Sequence, residues 1–266
     1  MTRIIQLTDT HVVCPPNKVS GVLDTLALFE DAITKIEQDL ERLGHVDAII
    51  VTGDITDHGD VESYDAFKAV VRRLGIPYFV IPGNHDLRSS MHHCFENLTP
   101  ATSEEINWVK HFPDLDIIGL DTVIPGQGGG RLSPNALAFL EHALTSQPDK
   151  PALIAMHHPP FASGIQFMDA IGLEGADEMT EILEKSPRDV RIICGHLHNS
   201  IVSTIGGATV LSSPATASSF LTDHRSDAPV GFTQDPGGYM LHEWNKGFRS
   251  TYLPLTPSSQ LYPFER

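Results

Sequence analysis

Short apolar runs alternate along the chain with segments in which apolar residues recur every three or four positions, as far as about residue 199. The recurring segments predict helices over 24–43, 60–74, 133–145 and 176–186. The apolar runs predict buried strands at 3–8, 46–52, 77–81, 117–121, 152–156 and 190–194. This alternation of strand and helix predicts a mainly parallel sheet that is covered by helices.

The pattern changes after residue 199. Short β-type stretches at 200–205, 208–212, 239–245 and 248–253 are joined by Gly-Gly, Pro and Lys-Gly turns, which predicts a second, more antiparallel sheet packed against the first. The segment 214–238 is rich in Pro, Ser, Ala, Asp and Gly and predicts a long loop or cap. Because no repeat or clear linker divides the sequence, we expect one domain over residues 1–266.

Composition indicates a soluble protein. Apolar residues make up 41% of the 266 positions, but no stretch approaches the roughly 20 apolar residues that span a bilayer. The chain enters its first strand without a basic leader and an apolar signal core, so we expect it not to be exported. Three widely spaced cysteines without a Cys-x-x-Cys pair fit a reducing cytoplasm.

The charge balance limits the possible partners. There are 34 acidic and 18 basic residues, for a formal net charge of −16. Such a surface repels nucleic acid in bulk and anionic membranes. A small anionic substrate remains compatible with this charge if bound metal ions reverse the potential inside one cleft.

Blocks of candidate metal ligands follow the predicted strands. The carboxyl ends of parallel strands meet at one edge of a sheet, so these blocks are expected to converge. Carboxylates, an amide and imidazoles suit two divalent transition metals such as Mn, Fe, Co or Zn, and a metal pair suits attack of hydroxide on a phosphate ester. The blocks are Asp9-Thr10-His11, Gly53-Asp54, Gly83-Asn84-His85-Asp86, Met156-His157-His158-Pro159 and Gly195-His196-Leu197-His198.

The spacing within the blocks suggests individual roles. Asp9 and His11 lie two residues apart, so their side chains point the same way if the strand geometry continues. Asp54 has two carboxylate oxygens and can bridge two cations. His85 could be protonated and face a leaving group, with Asp86 able to orient it.

Two further blocks contribute histidines. His157 and His158 are neighbours whose side chains diverge, so one is expected to be a ligand and the other a supporting residue; periodicity does not choose between them. His196 and His198 form a His-x-His pair after Gly195. Taken singly, such blocks are ordinary caps and turns, but five of them at strand ends are improbable as unrelated features.

Other catalytic motifs do not fit the sequence. The glycine-rich stretch 126–131 lacks the Lys-Ser/Thr of a phosphate-binding loop, and no dinucleotide-binding fingerprint follows the first strand. A Gly-x-Ser-x-Gly nucleophile motif is also missing from the sequence. The histidine and carboxylate blocks therefore carry the chemistry.

With these blocks, residues 3 to about 212 resemble the calcineurin-like metallophosphoesterase superfamily. The resemblance implies an α/β fold, a four-layer αββα sandwich of two mixed sheets flanked by helices. It implies one metal held by Asp9, His11 and His198, and a second held by Asn84, His157 and His196. It further implies that Asp54 bridges the two metals and that His85 assists at the leaving group.

Details within the blocks favour one branch of the superfamily. Protein Ser/Thr phosphatases have an Arg where this chain has His58, in Gly53-Asp54-Ile55-Thr56-Asp57-His58-Gly59. The stretches 168–173 and 236–242 instead resemble bacterial class III cyclic-nucleotide phosphodiesterases and glycerophosphodiesterases. In that group the segment before the last strands often forms a cap or an oligomer contact, which makes His224 a candidate substrate-binding residue beside Asn84 and His85.

We therefore expect a phosphodiesterase that hydrolyses cyclic nucleotides such as cAMP, or glycerophosphodiesters. A phosphomonoesterase or a nuclease on the same fold is the enzymatic alternative. A non-catalytic, metal-binding interaction module is an alternative of another class, although the intact ligand blocks argue against it.

Overall fold

A computed structural model of the protein describes residues 1–95, 104–256 and 261–264. Its helices are α1 (Thr25–Leu43), α2 (Val61–Val71, continued by a 3-10 turn over Arg72–Leu74), α3 (Arg88–Cys94), α4 (Pro134–Ser146), α5 (Gln166–Asp169) and α6 (Ala176–Lys185). Its strands are β1 (Thr2–Leu7), β2 (Ala48–Thr52), β3 (Tyr78–Ile81), β4 (Trp108–His111), β5 (Asp116–Leu120), β6 (Gly130–Arg131), β7 (Ala152–Met156), β8 (Leu173–Glu174), β9 (Val190–Cys194), β10 (Val202–Ile205), β11 (Ala208–Ser212), β12 (Ser219–Phe220), β13 (Phe232–Thr233), β14 (Gly238–Trp244) and β15 (Phe248–Pro254).

Two mixed sheets form the centre of the fold. The first has the order β15-β14-β1-β2-β3, and the second has the order β10-β11-β9-β7-β5-β4. Parallel pairing joins β1, β2 and β3 in the first sheet and β5, β7, β9 and β11 in the second. Antiparallel strands complete the edges of both sheets.

The C-terminal strands do not form a separate antiparallel sheet, so that prediction is wrong. The hairpin β14–β15 pairs with β1, with Ile4 opposite His242, whereas the hairpin β10–β11 adds to β9, with Ile192 opposite Val210. Each hairpin thereby satisfies the backbone groups of a parallel strand that would otherwise be an open edge. The edge strand β4, which the sequence pattern did not reveal, does the same for β5.

The sheets pack face to face and carry helices on their outer faces, which confirms the predicted four-layer αββα architecture. Strand β7 shows the two-residue period of a sheet between two cores. Leu153 and Ala155 belong to the core shared with the first sheet, α1 and α2. Ala152, Ile154 and Met156 belong to the core shared with α4 and α6.

A buried glutamine ties the two sheets together near the strand ends. The Gln6 Nε2 group donates to Thr52 Oγ1 and to the Cys194 carbonyl, both at 2.9 Å, and so links β1, β2 and β9. His242 Nε2 donates to Gln6 Oε1 at 2.9 Å. Because every one of these polar groups has a partner, the network fixes the spacing of three strands without leaving a buried group unsatisfied.

Across the described residues, no helix combines the length and the apolar character that a membrane crossing requires.

Candidate metal centre

The residues that leave the strand ends adopt left-handed backbone conformations. The φ angle is 51° at Asp9, 42° at His11, 47° at Asp54, 68° at His196 and 53° at His198. Asp and His tolerate this region better than most residues do. Asp9 and His11 therefore converge because the chain turns sharply after β1, and the expected continuation of strand geometry is wrong.

A first group of side chains consists of Asp9, His11 and His198. The Nε2 atoms of the two histidines lie 3.3 Å apart, and Asp9 Oδ1 lies 3.4 Å from His198 Nε2. His11 Nδ1 donates to Asp57 Oδ1, and His198 Nδ1 is hydrogen-bonded to Ser218 Oγ, both at 3.0 Å. The Nε2 atoms of both rings are consequently directed into one space.

A second group consists of Asn84, His157 and His196. Asn84 Oδ1 lies 3.1 Å from His157 Nε2 and 3.1 Å from His196 Nδ1. The other ring nitrogens donate to backbone carbonyls, His157 Nδ1 to Thr52 at 2.8 Å and His196 Nε2 to Ile171 at 3.2 Å. Each histidine thus presents a defined lone pair toward Asn84.

Asp54 lies between the two groups. Its Oδ2 atom is 3.5 Å from His11 Nε2 and 3.4 Å from His157 Nε2. The Asp54 Oδ1 atom accepts the backbone N–H of His85 at 2.8 Å. One carboxylate oxygen is therefore equidistant from a nitrogen donor of either group.

The structure distinguishes the roles of the neighbouring residues His157 and His158. Both ring nitrogens of His158 have protein partners, because Thr122 Oγ1 donates to Nδ1 at 2.8 Å and Nε2 donates to the Gly128 carbonyl at 3.1 Å. Burial, together with His157 and His196, lowers the pKa of His158 well below its ordinary value. His158 is thus a neutral supporting residue, and His157 is the one that faces Asp54.

The donor set fits divalent cations on both sides of Asp54. Burial alone would raise the pKa of Asp54, but His157, His11 and His85 hold it well below its usual range. Burial likewise opposes the charge on His157, but Asp54 and Asp9 raise the pKa of that ring to about 9. Cations entering the site would displace such protons and satisfy buried carboxylates and imidazoles together.

His85 lies at the rim of this centre with its side chain 40% exposed. Its Nδ1 atom donates to the Asp57 carbonyl at 3.0 Å, which leaves Nε2 available to a ligand in the cleft. Asp86, which the sequence suggested as its orienting partner, instead accepts the backbone N–H groups of Ile55, Thr56 and Gly83. The turn after Gly83 directs Asp86 into the protein, so Asp57 orients His85.

Five of the seven metal-ligand candidates line a cleft of about 320 Å³, namely His11, Asp54, Asn84, His196 and His198. Apolar side chains form much of the remaining lining, among them Leu23, Phe167, Ile171, Phe220 and Phe232. His224 lies outside this lining; it is exposed, and its Nδ1 donates to the Gly164 carbonyl at 2.9 Å. Substrate binding by His224 therefore stays a prediction.

The sequence did not identify three groups that hydrogen-bond to the proposed histidine ligands. They are the Ser218 hydroxyl and the carbonyls of Thr52 and Ile171. Backbone carbonyls carry no sequence signal, and Ser218 lies in a segment without periodicity.

Gly195 allows the backbone of one loop to lie directly against Asp9. A Cβ atom at this position would overlap the Thr8 hydroxyl and come within 2.7 Å of Asp9 Oδ2. We expect Gly195→Ala to lower the free energy of unfolding by about 1–3 kcal/mol and to displace Asp9, weakening metal binding. Thermal unfolding and metal content after gel filtration measure both effects. Gly247→Ala is the matched control, because a Cβ at Gly247 meets nothing within 4 Å; equal behaviour of the two variants would refute the close approach.

Comparison with known proteins gives a consistent result. The sequence profile of the calcineurin-like phosphoesterase family matches residues 2–200. A probable glycerophosphodiester phosphodiesterase from Arcobacter nitrofigilis is 33% identical over 248 residues, covering 91% of this chain and 89% of the relative. A 3′,5′-cyclic adenosine monophosphate phosphodiesterase from Vibrio vulnificus is 31% identical over 261 residues, covering 98% and 92%. Among solved structures, a dimetal phosphatase from Danio rerio superposes with a TM-score of 0.71 at 13% identity, covering 96% of each chain, which supports the fold alone.

Proposed function

The chain belongs to the calcineurin-like phosphoesterase family, and from that premise we propose that it is a phosphodiesterase that uses two divalent cations to hydrolyse small phosphodiesters. The position of Asp54 carries the proposal. Its Oδ2 atom lies 3.5 Å from a histidine nitrogen of one donor group and 3.4 Å from a histidine nitrogen of the other. That arrangement supports a shared carboxylate between two ions.

In this proposal each donor group holds one ion. Asp9, His11 and His198 would hold the first ion, and Asn84, His157 and His196 would hold the second, with Asp54 between the two groups. When bound, two such cations polarise the phosphate oxygens and lower the pKa of water enough to supply a nucleophile near neutral pH. Mixed oxygen and nitrogen donors suit Mn²⁺, Fe²⁺, Co²⁺ or Zn²⁺.

The protein itself contributes positioning and a proton. Asp57 fixes the His85 ring through Nδ1, so a proton on His85 Nε2 is directed at the open cleft. From there it can be donated to the oxygen that leaves the phosphorus. Asn84 adds a neutral oxygen, which supports binding of an anion because it brings no further negative charge.

The composition of the cleft favours a diester over a monoester. A monoester is a dianion near neutral pH, whereas a diester carries one negative charge. The residues described as lining the cleft include neither lysine nor arginine, so only the cations and His85 would offset substrate charge. The apolar wall of Phe167, Phe220 and Phe232 offers a surface for the second ester group.

Two substrate classes fit these constraints, 3′,5′-cyclic nucleotides such as cAMP and glycerophosphodiesters. We propose a cytoplasmic location, which the free thiols of Cys14, Cys94 and Cys194 support. A single domain over residues 1–266, and a cap or oligomer contact over about 214–238, stay predictions from the sequence.

The proposal is tested by comparing an activated diester with its monoester. We expect the Mn²⁺-loaded protein to hydrolyse bis(p-nitrophenyl) phosphate with a kcat/KM at least about tenfold above that for p-nitrophenyl phosphate, a difference of about 1.4 kcal/mol in transition-state binding. Chelation should abolish both activities. Cyclic AMP and glycerophosphocholine, assayed next, separate the two substrate classes. A preference for the monoester would overturn the proposal, and no activity on any activated ester would favour a binding module.

A further inference from the structure

The four histidines of the centre are oriented by different kinds of partner. Backbone carbonyls orient His157 and His196, and the Asp57 carboxylate orients His11. His198 alone among them has its Nδ1 atom hydrogen-bonded to a hydroxyl, Ser218 Oγ, at 3.0 Å. That hydroxyl belongs to the segment 214–238, which supplies none of the proposed metal ligands.

The same segment also covers the face of the His198 ring. Phe220 stacks on the imidazole with a centroid distance of 4.3 Å and an interplanar angle of 24°. Asn199 Nδ2 donates to the Phe220 carbonyl at 2.7 Å, and β12 pairs with β13 through Phe220 and Phe232. His198 is thus fixed at its edge by Ser218 and on its face by Phe220.

We propose that Ser218 is a positioning residue for His198, through which the segment 214–238 controls occupancy of the ion held by Asp9, His11 and His198. The inference rests on the proposed function, since it requires that ion. The contact with Ser218 holds the ring with Nε2 toward Asp9 and His11, and in the ion-bound state the hydroxyl would accept the Nδ1 proton and leave the Nε2 lone pair for the ion. Without the acceptor, the ring is free to rotate or to change tautomer, and the ion loses an oriented ligand.

The coupling is reciprocal by thermodynamic necessity. If the ordered segment strengthens the binding of one ion, that ion stabilises the ordered segment by the same free energy. The second ion, whose histidines are oriented by backbone carbonyls of Thr52 and Ile171, lacks this dependence. The two ions should therefore respond differently to any change in the segment 214–238.

The test compares Ser218→Ala with Thr216→Val. Both changes remove one hydroxyl from a side chain that is 5% exposed in the same segment, but Thr216 Oγ1 has no hydrogen-bond partner among the described residues. Each metal-free protein is titrated with Co²⁺, by calorimetry and by the visible absorption of the bound ion. We expect Ser218→Ala to weaken one of two Co²⁺ sites by about 10–100-fold, to alter the absorption of that site and to leave the other unchanged. Thr216→Val should resemble the wild type.

Amide hydrogen exchange gives a readout that is independent of affinity. Saturation with Co²⁺ should protect amides over 218–233 in the wild type and in Thr216→Val, and much less in Ser218→Ala. Phe220→Leu keeps the Ser218 hydroxyl and removes the aromatic ring, so it should weaken the same site to a smaller extent. This variant replaces Ser218→Ala in the test if Ser218→Ala does not fold.

The outcomes separate the two proposals. If the wild type binds two Co²⁺ ions and hydrolyses diesters, while Ser218→Ala and Phe220→Leu bind both ions as tightly as the wild type, the positioning role is refuted and the proposed function stands. If the wild type binds no Co²⁺, both fail.

Discussion

Asp54→Ala is expected to abolish turnover and to strip both ions from the protein. The Asp54 carboxylate is buried between the two donor groups, so its removal leaves each of them without its shared anionic ligand. Loss of one partner of a buried charge pair costs about 3–5 kcal/mol, which corresponds to roughly 100- to 4,000-fold weaker binding. Metal analysis after equilibration with Mn²⁺ and gel filtration measures this loss directly, beside kcat for the diester.

Asp116→Asn is the control for the removal of a buried carboxylate. Asp116 is equally buried, but it pairs with Arg188, Lys150 and His111, away from the metal centre. This variant should lose stability and keep its metals. If Asp54→Ala retained two tightly bound ions, Asp54 would not be the bridging ligand.

His85→Ala should have the second-largest effect and the opposite signature. Turnover is expected to fall by about 10²–10⁴-fold, the contribution of a positioned general acid, while the metal content remains that of the wild type. The physical reason is that Nδ1 of the ring donates to the Asp57 carbonyl, and the ring meets His11 edge-on at a centroid distance of 4.6 Å without a hydrogen bond to it. Steady-state kinetics with metal analysis on the same samples separate the two effects.

Varying the leaving group of the substrate tests proton donation by His85 more directly. A nitrophenolate departs without much protonation, so the defect of His85→Ala should be larger with cyclic AMP or glycerophosphocholine, whose leaving groups are alkoxides. His58→Ala is the matched control, since its ring is 71% exposed and lies 3.5 Å from Asp57. A metal-depleted His85→Ala protein would make His85 a ligand, and an equal defect with every leaving group would argue against proton donation.

Much of the fold could be predicted because local pattern and tertiary structure agree. Helix α1 begins after Asp24, whose side chain accepts the backbone N–H of Ala27, and buries Phe29, Ile33 and Ile36 at helical spacing. The pairing partner of a strand, in contrast, is not encoded in its periodicity. Strand β14 lies antiparallel to β1, and its His242 forms a hydrogen bond with Gln6, 236 positions away in sequence. The sheet to which β14 belongs could therefore not be assigned from its pattern alone.

In the metal centre, likewise, some features could be predicted from the sequence and others could not. Residue types after strand ends indicated the ligand blocks, and the family resemblance suggested which residues share an ion. Which neighbour supports which ligand depends on the turn geometry. Asp57 and Asp86 have identical side chains, and both lie near His85. The backbone turn after Gly83 directs Asp86 into the protein, where the Tyr64 hydroxyl donates to it at 2.8 Å. For the same reason, periodicity alone could not distinguish the roles of His157 and His158.

The distribution of the donor groups over both sheets has a consequence for how the protein assembles. Asp9, Asp54 and Asn84 follow strands of the first sheet, whereas the histidines at 157, 196 and 198 follow strands of the second. Under the proposed ligand assignment, neither sheet alone supplies a full set of donors, so we expect an ion to bind late in folding. During synthesis from the N-terminus, every donor has emerged by residue 198, but β1 keeps an open edge until residues 238–244 arrive. Pairings so distant in sequence form slowly, so we expect the first sheet to be completed only after all the donors have been synthesised.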